Sequence, residues 1–189
     1  MIDVRKKSKS ALIVVDVQIG VMSGAWDANR IINNISRSVE RARNQGIPVI
    51  WVQHSDDELI HESSEWNLVP ELTQNDGEML IHKHFNLAFE KTGLNEGLIS
   101  LGVNHIVLAG ASTNWCIRAT AYGALERGYD LTLVEDAHTT APIELDGGRK
   151  IEAENIIHEL NIAMKWLSYP DRANGVATAE KVNFTATAS

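Results

Sequence analysis

A chain of 189 residues with a single cysteine invites the question of what that thiol does. Cys116 follows a short apolar run and a small polar turn, and it stands at the start of a helical pattern. The unpaired N–H groups and the positive dipole end of a helix favour an anion there, so the position predicts a thiol with a lowered pKa, suited to a nucleophile. Two further residues complete a plausible chemistry. Asp16 can take the thiol proton and hand it to a leaving group, Lys83 can stabilise the thiolate, and Cys116 can attack a carbonyl. Backbone N–H groups of the turn can hold the developing oxyanion. Taken alone, Cys116 reads equally as a small buried hydrophobe, and the turn as a phosphate cradle. Residues 110–116 lack both the Gly-x-Gly-x-x-Gly and the Gly-Lys-[Ser/Thr] patterns, which argues against a nucleotide.

These three residues can meet only if the elements between them bring them together. Residues 105–110 are a short apolar run closed by glycine, a buried parallel strand. From Asn114 onward, Ile117, Ala121, Ala124 and Leu125 recur at helical spacing until Gly128. Residues 11–17 form a β-branched central strand that ends near Asp16, whose carboxylate is either a cap or a functional group. The loop 18–27 leads into an amphipathic helix over 29–45, with Ile31, Ile32, Ile35, Val39 and Ala42 on one face. Residues 48–54 and 79–83 are further strands, the second delivering Lys83 to its end. Between them, 55–77 is a long irregular loop of the kind that often binds ligands. A short helix over 92–102 takes Thr92 as its cap. A fifth strand spans 130–136 with 137–140 as its loop, a last helix spans 151–166, and the remainder, 167–184, either adds an edge strand or swaps onto a neighbour.

Strands alternating with helices predict an α/β fold: a doubly wound, mainly parallel sheet of five to six strands with helices on both faces, a Rossmann-like three-layer sandwich in one domain over 1–189. In such a sheet the C-terminal strand ends share one edge, so Asp16, Lys83 and Cys116 converge there. A net charge of -8 argues against nucleic acid as a partner. One cysteine permits no internal disulfide, which fits a reducing, cytoplasmic setting. The basic N-terminus precedes too short an apolar run for a secretory signal, and no stretch approaches the ~20 apolar residues of a membrane span. The expected partner is a small-molecule substrate, with no membrane involved.

Four blocks in order, residues 11–18, 83–89, 110–116 and 134–137, resemble those of the isochorismatase-like cysteine hydrolases, which include nicotinamidases and N-carbamoylsarcosine amidases. The resemblance implies Asp16, Lys83 and Cys116 as a catalytic triad. It also implies a cis peptide between Ala111 and Ser112, an oxyanion hole from the N–H groups of Ser112 and Cys116, and a homo-oligomer, dimer or tetramer. Nicotinamidases carry an Asp-x-His pair and a further histidine that bind a metal. Here residues 53–61 lack that pattern, and although His54, Asp56 and His61 are potential ligands, a solvated loop is the favoured reading. Neither a metal nor another cofactor is expected. Isochorismatases that cleave a vinyl ether tend to lack the cysteine, so Cys116 favours covalent chemistry.

The expected activity is therefore hydrolysis of a small amide, ureide or other non-peptide C–N bond through a thioester. One alternative is vinyl ether hydrolysis with Asp16 as the acid. Another is a non-catalytic binding protein or thiol sensor, against which the lack of a second cysteine counts. Gln18, His54, Trp66, His84, Phe85, Asn86, Phe89, Trp115 and His138 lie in or beside the loops at the active edge and are the candidate pocket. Core packing is the alternative for each aromatic, a subunit interface for Trp115, and satisfaction of loop backbone groups for the histidines.

Overall fold

The structure, a computed structural model, describes residues 9–185. In chain order these form β1 (Ser10–Val15), a single turn α1 (Ile19–Met22), α2 (Ala28–Asn44), β2 (Val49–His54), β3 (Met79–Lys83), α3 (Leu94–Leu101) and β4 (His105–Ala111). A π turn (Thr113–Ile117) then leads into α4 (Arg118–Glu126), β5 (Asp130–Thr139), the small hairpin of β6 (Ile143–Glu144) and β7 (Lys150–Ile151), α5 (Ala153–Trp166) and β8 (Asn174–Ala177).

Six strands pair in the order β3-β2-β1-β4-β5-β8, all of them parallel. Continuous apolar runs make this possible, because a strand covered on both faces has no solvent side to keep polar. All six residues of β1 are buried. Ile13 and Val15 face one core with Leu98 of α3, Ala121 and Leu125 of α4, and Leu160 and Met164 of α5. Leu12 and Val14 face the other, with Ile31, Ile35 and Val39 of α2. Helices therefore cover both faces, in the three-layer α/β arrangement of a doubly wound sheet. None of the described helices is long and apolar enough to cross a membrane.

The chain builds outward from β1 through β2 to β3, then returns to place β4 on the other side of β1. Strand order thus reverses between β1 and β4, and the edge beyond their C-terminal ends is where ligands of open α/β sheets bind. Asp16 and the turn bearing Cys116 both leave the sheet at that edge. The two strands touch closely beside it: a Cβ on Gly110 would lie 2.0 Å from the Val15 carbonyl oxygen, and its φ is +126°. Gly110→Ala is therefore expected to destabilise the protein by about 4 kcal/mol or more, read as a fall in the urea midpoint or loss of soluble protein.

Several boundaries differ from expectation. Residues 137–139 extend β5 instead of forming its loop, because the β4–β5 register shifts between Leu108 and Gly110. The remainder after the last helix does add an edge strand, β8 at Asn174–Ala177, whereas Val182 and Phe184 beyond it pack into the α2 face of their own chain, and the Ser10 hydroxyl donates to the Phe184 carbonyl. The last helix starts at Ala153, after the unforeseen hairpin. The N-cap of α3 is Gly93, one residue later than expected, although the Thr92 hydroxyl still accepts the Leu94 N–H at 3.4 Å while donating to the Ala88 carbonyl at 2.6 Å.

Candidate active site

Each polar group at this edge is delivered by the end of a strand. Asp16 follows β1 with a left-handed φ of 53°, and its N–H donates to the Val52 carbonyl at 2.8 Å, which anchors the carboxylate to β2. Lys83 closes β3 and is almost wholly buried. Its Nζ lies 2.7 Å from Asp16 Oδ2, 3.2 Å from Cys116 Sγ and 3.3 Å from Nδ1 of His54, the last residue of β2. An ammonium has three protons, and here each has an acceptor.

The acceptor role of His54 Nδ1 fixes its tautomer: the ring proton sits on Nε2, which meets Asp56 Oδ2 at 2.9 Å. The N–H of Leu59, then His54 and the N–H of Glu58, hold the Asp56 carboxyl down to about 2. A stable carboxylate at the loop thus orients the histidine that flanks Lys83.

Cys116 arrives on an irregular turn. The Ala111–Ser112 peptide is cis, and the Ile117 N–H reaches back five residues to the Ser112 carbonyl at 3.1 Å. Cys116 therefore belongs to a π turn ahead of α4, not to the first turn of an α-helix, and the expected depression of its pKa does not follow. Burial first, and the neighbouring Asp16 carboxylate second, push the thiol up to about 12, against the opposing pull of Lys83. Burial likewise raises Asp16, again opposed by Lys83. Asp16 Oδ1 is buried without a hydrogen-bond partner. The thiol is thus held protonated beside a buried carboxylate–ammonium pair.

The nine candidate pocket residues divide. Asn86 has Oδ1 3.8 Å from Cys116 Sγ, and His54 touches Lys83. His84 and Phe85 are exposed on the segment after β3, although His84 Nδ1 donates to the Ser55 carbonyl at 2.9 Å. Trp115, beside the thiol in sequence, is 57% exposed. The rest serve the scaffold. Buried Gln18 uses its amide to brace the 55–77 loop, donating to the carbonyls of His54 and Trp66 at 3.0 and 2.8 Å and accepting from the His54 N–H at 2.8 Å. Phe89 is core, stacked on Tyr129 and under Arg127. The Trp66 ring meets His61 and His82, and His61 Nε2 lies 3.2 Å from His82 Nδ1. His138 is fully buried. Gln53, buried near the end of β2, donates its amide to the Trp66 carbonyl at 2.8 Å, a partner in the 55–77 loop that nothing local in the sequence marks.

The doubly wound sheet thus gathers a buried carboxylate, ammonium and thiol at its switch point, beyond the C-terminal ends of its strands. Residues 10–148 match the isochorismatase domain. The chain is 31% identical over 140 residues to a streptothricin hydrolase of Streptomyces noursei, covering 70% of this chain and 55% of that protein. It is 28% identical over 177 residues to the ureidoacrylate amidohydrolase RutB of Klebsiella pneumoniae, covering 71% and 75%. The solved structure of an isochorismatase from Pseudomonas putida KT2440 superposes with a TM-score of 0.81 at 27% identity, covering 93% of this chain and 90% of that one. The chain belongs to the isochorismatase family and is a hydrolase.

Proposed function

We propose that this hydrolase cleaves a C–N bond of a small amide, ureide or related non-peptide substrate through a thioester, with Asp16, Lys83 and Cys116 as its catalytic residues. One observation carries the reading: the buried Lys83 ammonium contacts both Asp16 Oδ2 and Cys116 Sγ, at 2.7 and 3.2 Å. The name of one relative, an amidohydrolase of a ureido compound, supports the bond type.

Because the thiol is neutral at rest, Asp16 accepts its proton as Sγ bonds to the substrate carbonyl carbon. The carbonyl oxygen becomes an oxyanion held by the N–H groups of Ser112 and Cys116. As the tetrahedral centre collapses, the C–N bond breaks and Asp16 returns the proton to the departing amine, leaving an acyl thioester. Water, deprotonated by Asp16, attacks the thioester, and the released thiolate recovers a proton. Lys83 keeps its proton throughout, offsetting negative charge first on the carboxylate and then on sulfur.

Asp16 has opposite effects on two observables. Its charge is one cause of the raised thiol pKa, so Asp16→Asn is expected to speed iodoacetamide alkylation of Cys116 at neutral pH by about tenfold. The same change lowers turnover by about 10²–10⁴-fold, because the proton carrier is gone. A panel of small amides and ureides, followed by ammonia or amine release, supplies the turnover assay. Full amide turnover in Asp16→Asn would exclude Asp16 as the proton carrier, and ether cleavage without any amine would favour Asp16 as a simple acid instead.

A further inference from the structure

The π turn is tied down from beneath by β5. Thr113 and His138 are both fully buried, and Thr113 Oγ1 lies 2.9 Å from His138 Nδ1. The other ring nitrogen, Nε2, lies 2.9 Å from Asn161 Oδ1, and Asn161 Nδ2 donates to the Glu135 carbonyl at 3.0 Å. Just past the end of β5, the Thr140 hydroxyl donates to Asn114 Oδ1 at 2.6 Å. The strand reaches this position through its irregular register, in which Leu108 pairs with Leu133 but Gly110 with His138.

These contacts settle where the protons lie. The bond to Glu135 orients the Asn161 amide with its oxygen toward the imidazole, so Nε2 carries a proton and donates it. Burial pushes His138 down to about 4, the nearby Asp136 charge and the Asn161 bond opposing it only in part. Nδ1 therefore keeps its lone pair, and the Thr113 hydroxyl must donate to it. Thr113 is peptide-linked to Ser112, whose carbonyl receives the N–H groups of Trp115 and Ile117 at 3.1 Å each. A Thr113 side chain held in one orientation fixes the path of the backbone that presents both Ser112 and Cys116.

We propose that His138, as the Nε2–H tautomer locked by Asn161, is a positioning residue that holds the nucleophile turn in register through the hydroxyl of Thr113. It touches no reacting atom and acts only through the turn. Fully satisfied buried polar networks of this kind specify one local geometry where apolar packing tolerates several. The effect on rate rests on reading Cys116 as the nucleophile; the tautomer does not.

Two measurements test this. In ¹⁵N-histidine spectra of the wild-type protein, the signal lost in His138→Gln is expected to be an Nε2–H tautomer that does not titrate between about pH 5 and 8. Thr113→Val, which keeps shape but removes the hydroxyl, is expected to lower kcat about 10–100-fold with KM nearly unchanged and Tm lowered by only several degrees, the cost of leaving His138 Nδ1 unpaired, and Thr113→Ser to restore most of both. A proton on Nδ1, titration within that range, or a Thr113→Val variant with wild-type kcat would overturn the proposal. Failure of the covalent reading would appear separately, as Cys116→Ala retaining turnover while the histidine spectrum is as expected.

Discussion

Cys116→Ala is expected to reduce amide turnover by about 10⁴-fold or more, the scale seen when a covalent nucleophile is removed from an otherwise intact site. The fold should survive, since the substitution deletes one small buried atom and Lys83 keeps two of its three acceptors, Asp16 and His54. Far-UV circular dichroism and Tm close to wild type are part of the expected result. Substrate should still bind, so the loss belongs in kcat rather than KM. Cys116→Ser is expected to be nearly as inactive, because a hydroxyl is an even weaker acid than this thiol and sits shorter of the carbonyl. In the wild type, alkylation should be slow at neutral pH and quicken as pH rises toward the thiol value of about 12, the opposite of a pre-formed thiolate. A variant without Cys116 that still turns over at the wild-type rate would remove covalent catalysis altogether.

Lys83→Met is expected to cost both stability and activity. It removes one partner of a buried ion pair, a change that typically destabilises by about 3–5 kcal/mol because the other charge is left uncompensated. The pH dependence has a definite sign. Burial already raises Asp16 and Lys83 opposes it, so without the lysine the folded-state pKa climbs further above its unfolded value. A group of that kind contributes stability below its unfolded pKa and loses it as pH rises through the folded pKa. The deficit of Lys83→Met relative to wild type should therefore grow from acid toward neutral pH in urea titrations. Adding Asp16→Asn should return much of the stability, since no buried charge remains, and none of the turnover. A single variant as stable as wild type at neutral pH would mean the pair is not buried as described.

The parts of this arrangement that were legible in the sequence are those written in local pattern. The apolar runs of β1, β2 and β4 are unbroken, so both their burial and their parallel pairing follow, and the shared address of Asp16, Lys83 and Cys116 follows from the strand ends. What escaped depends on partners distant in sequence. His138 resembles a loop residue after Asp136, because nothing local reveals the shift in β5 register or the waiting Asn161 on α5. Asn174, Gly175, Val176 and Ala177 hardly look like a strand; β8 forms because the edge of β5 offers unpaired backbone groups. The raised thiol pKa is hidden in the sequence for the same reason. A helix N-terminus is visible in sequence, whereas burial and the charge of Asp16 appear only once the sheet assembles.

The central claim is a covalent bond to Cys116, and intact-protein mass spectrometry tests it most directly. The enzyme is mixed with an amide or ureide substrate found by amine release, then acid-quenched during steady-state turnover, alongside Cys116→Ala. The expected result is a mass increase equal to the acyl group, mapped to Cys116 by peptide sequencing and absent from an inactive Cys116→Ala. An unmodified mass throughout turnover, together with wild-type rates in Cys116→Ala, would contradict it.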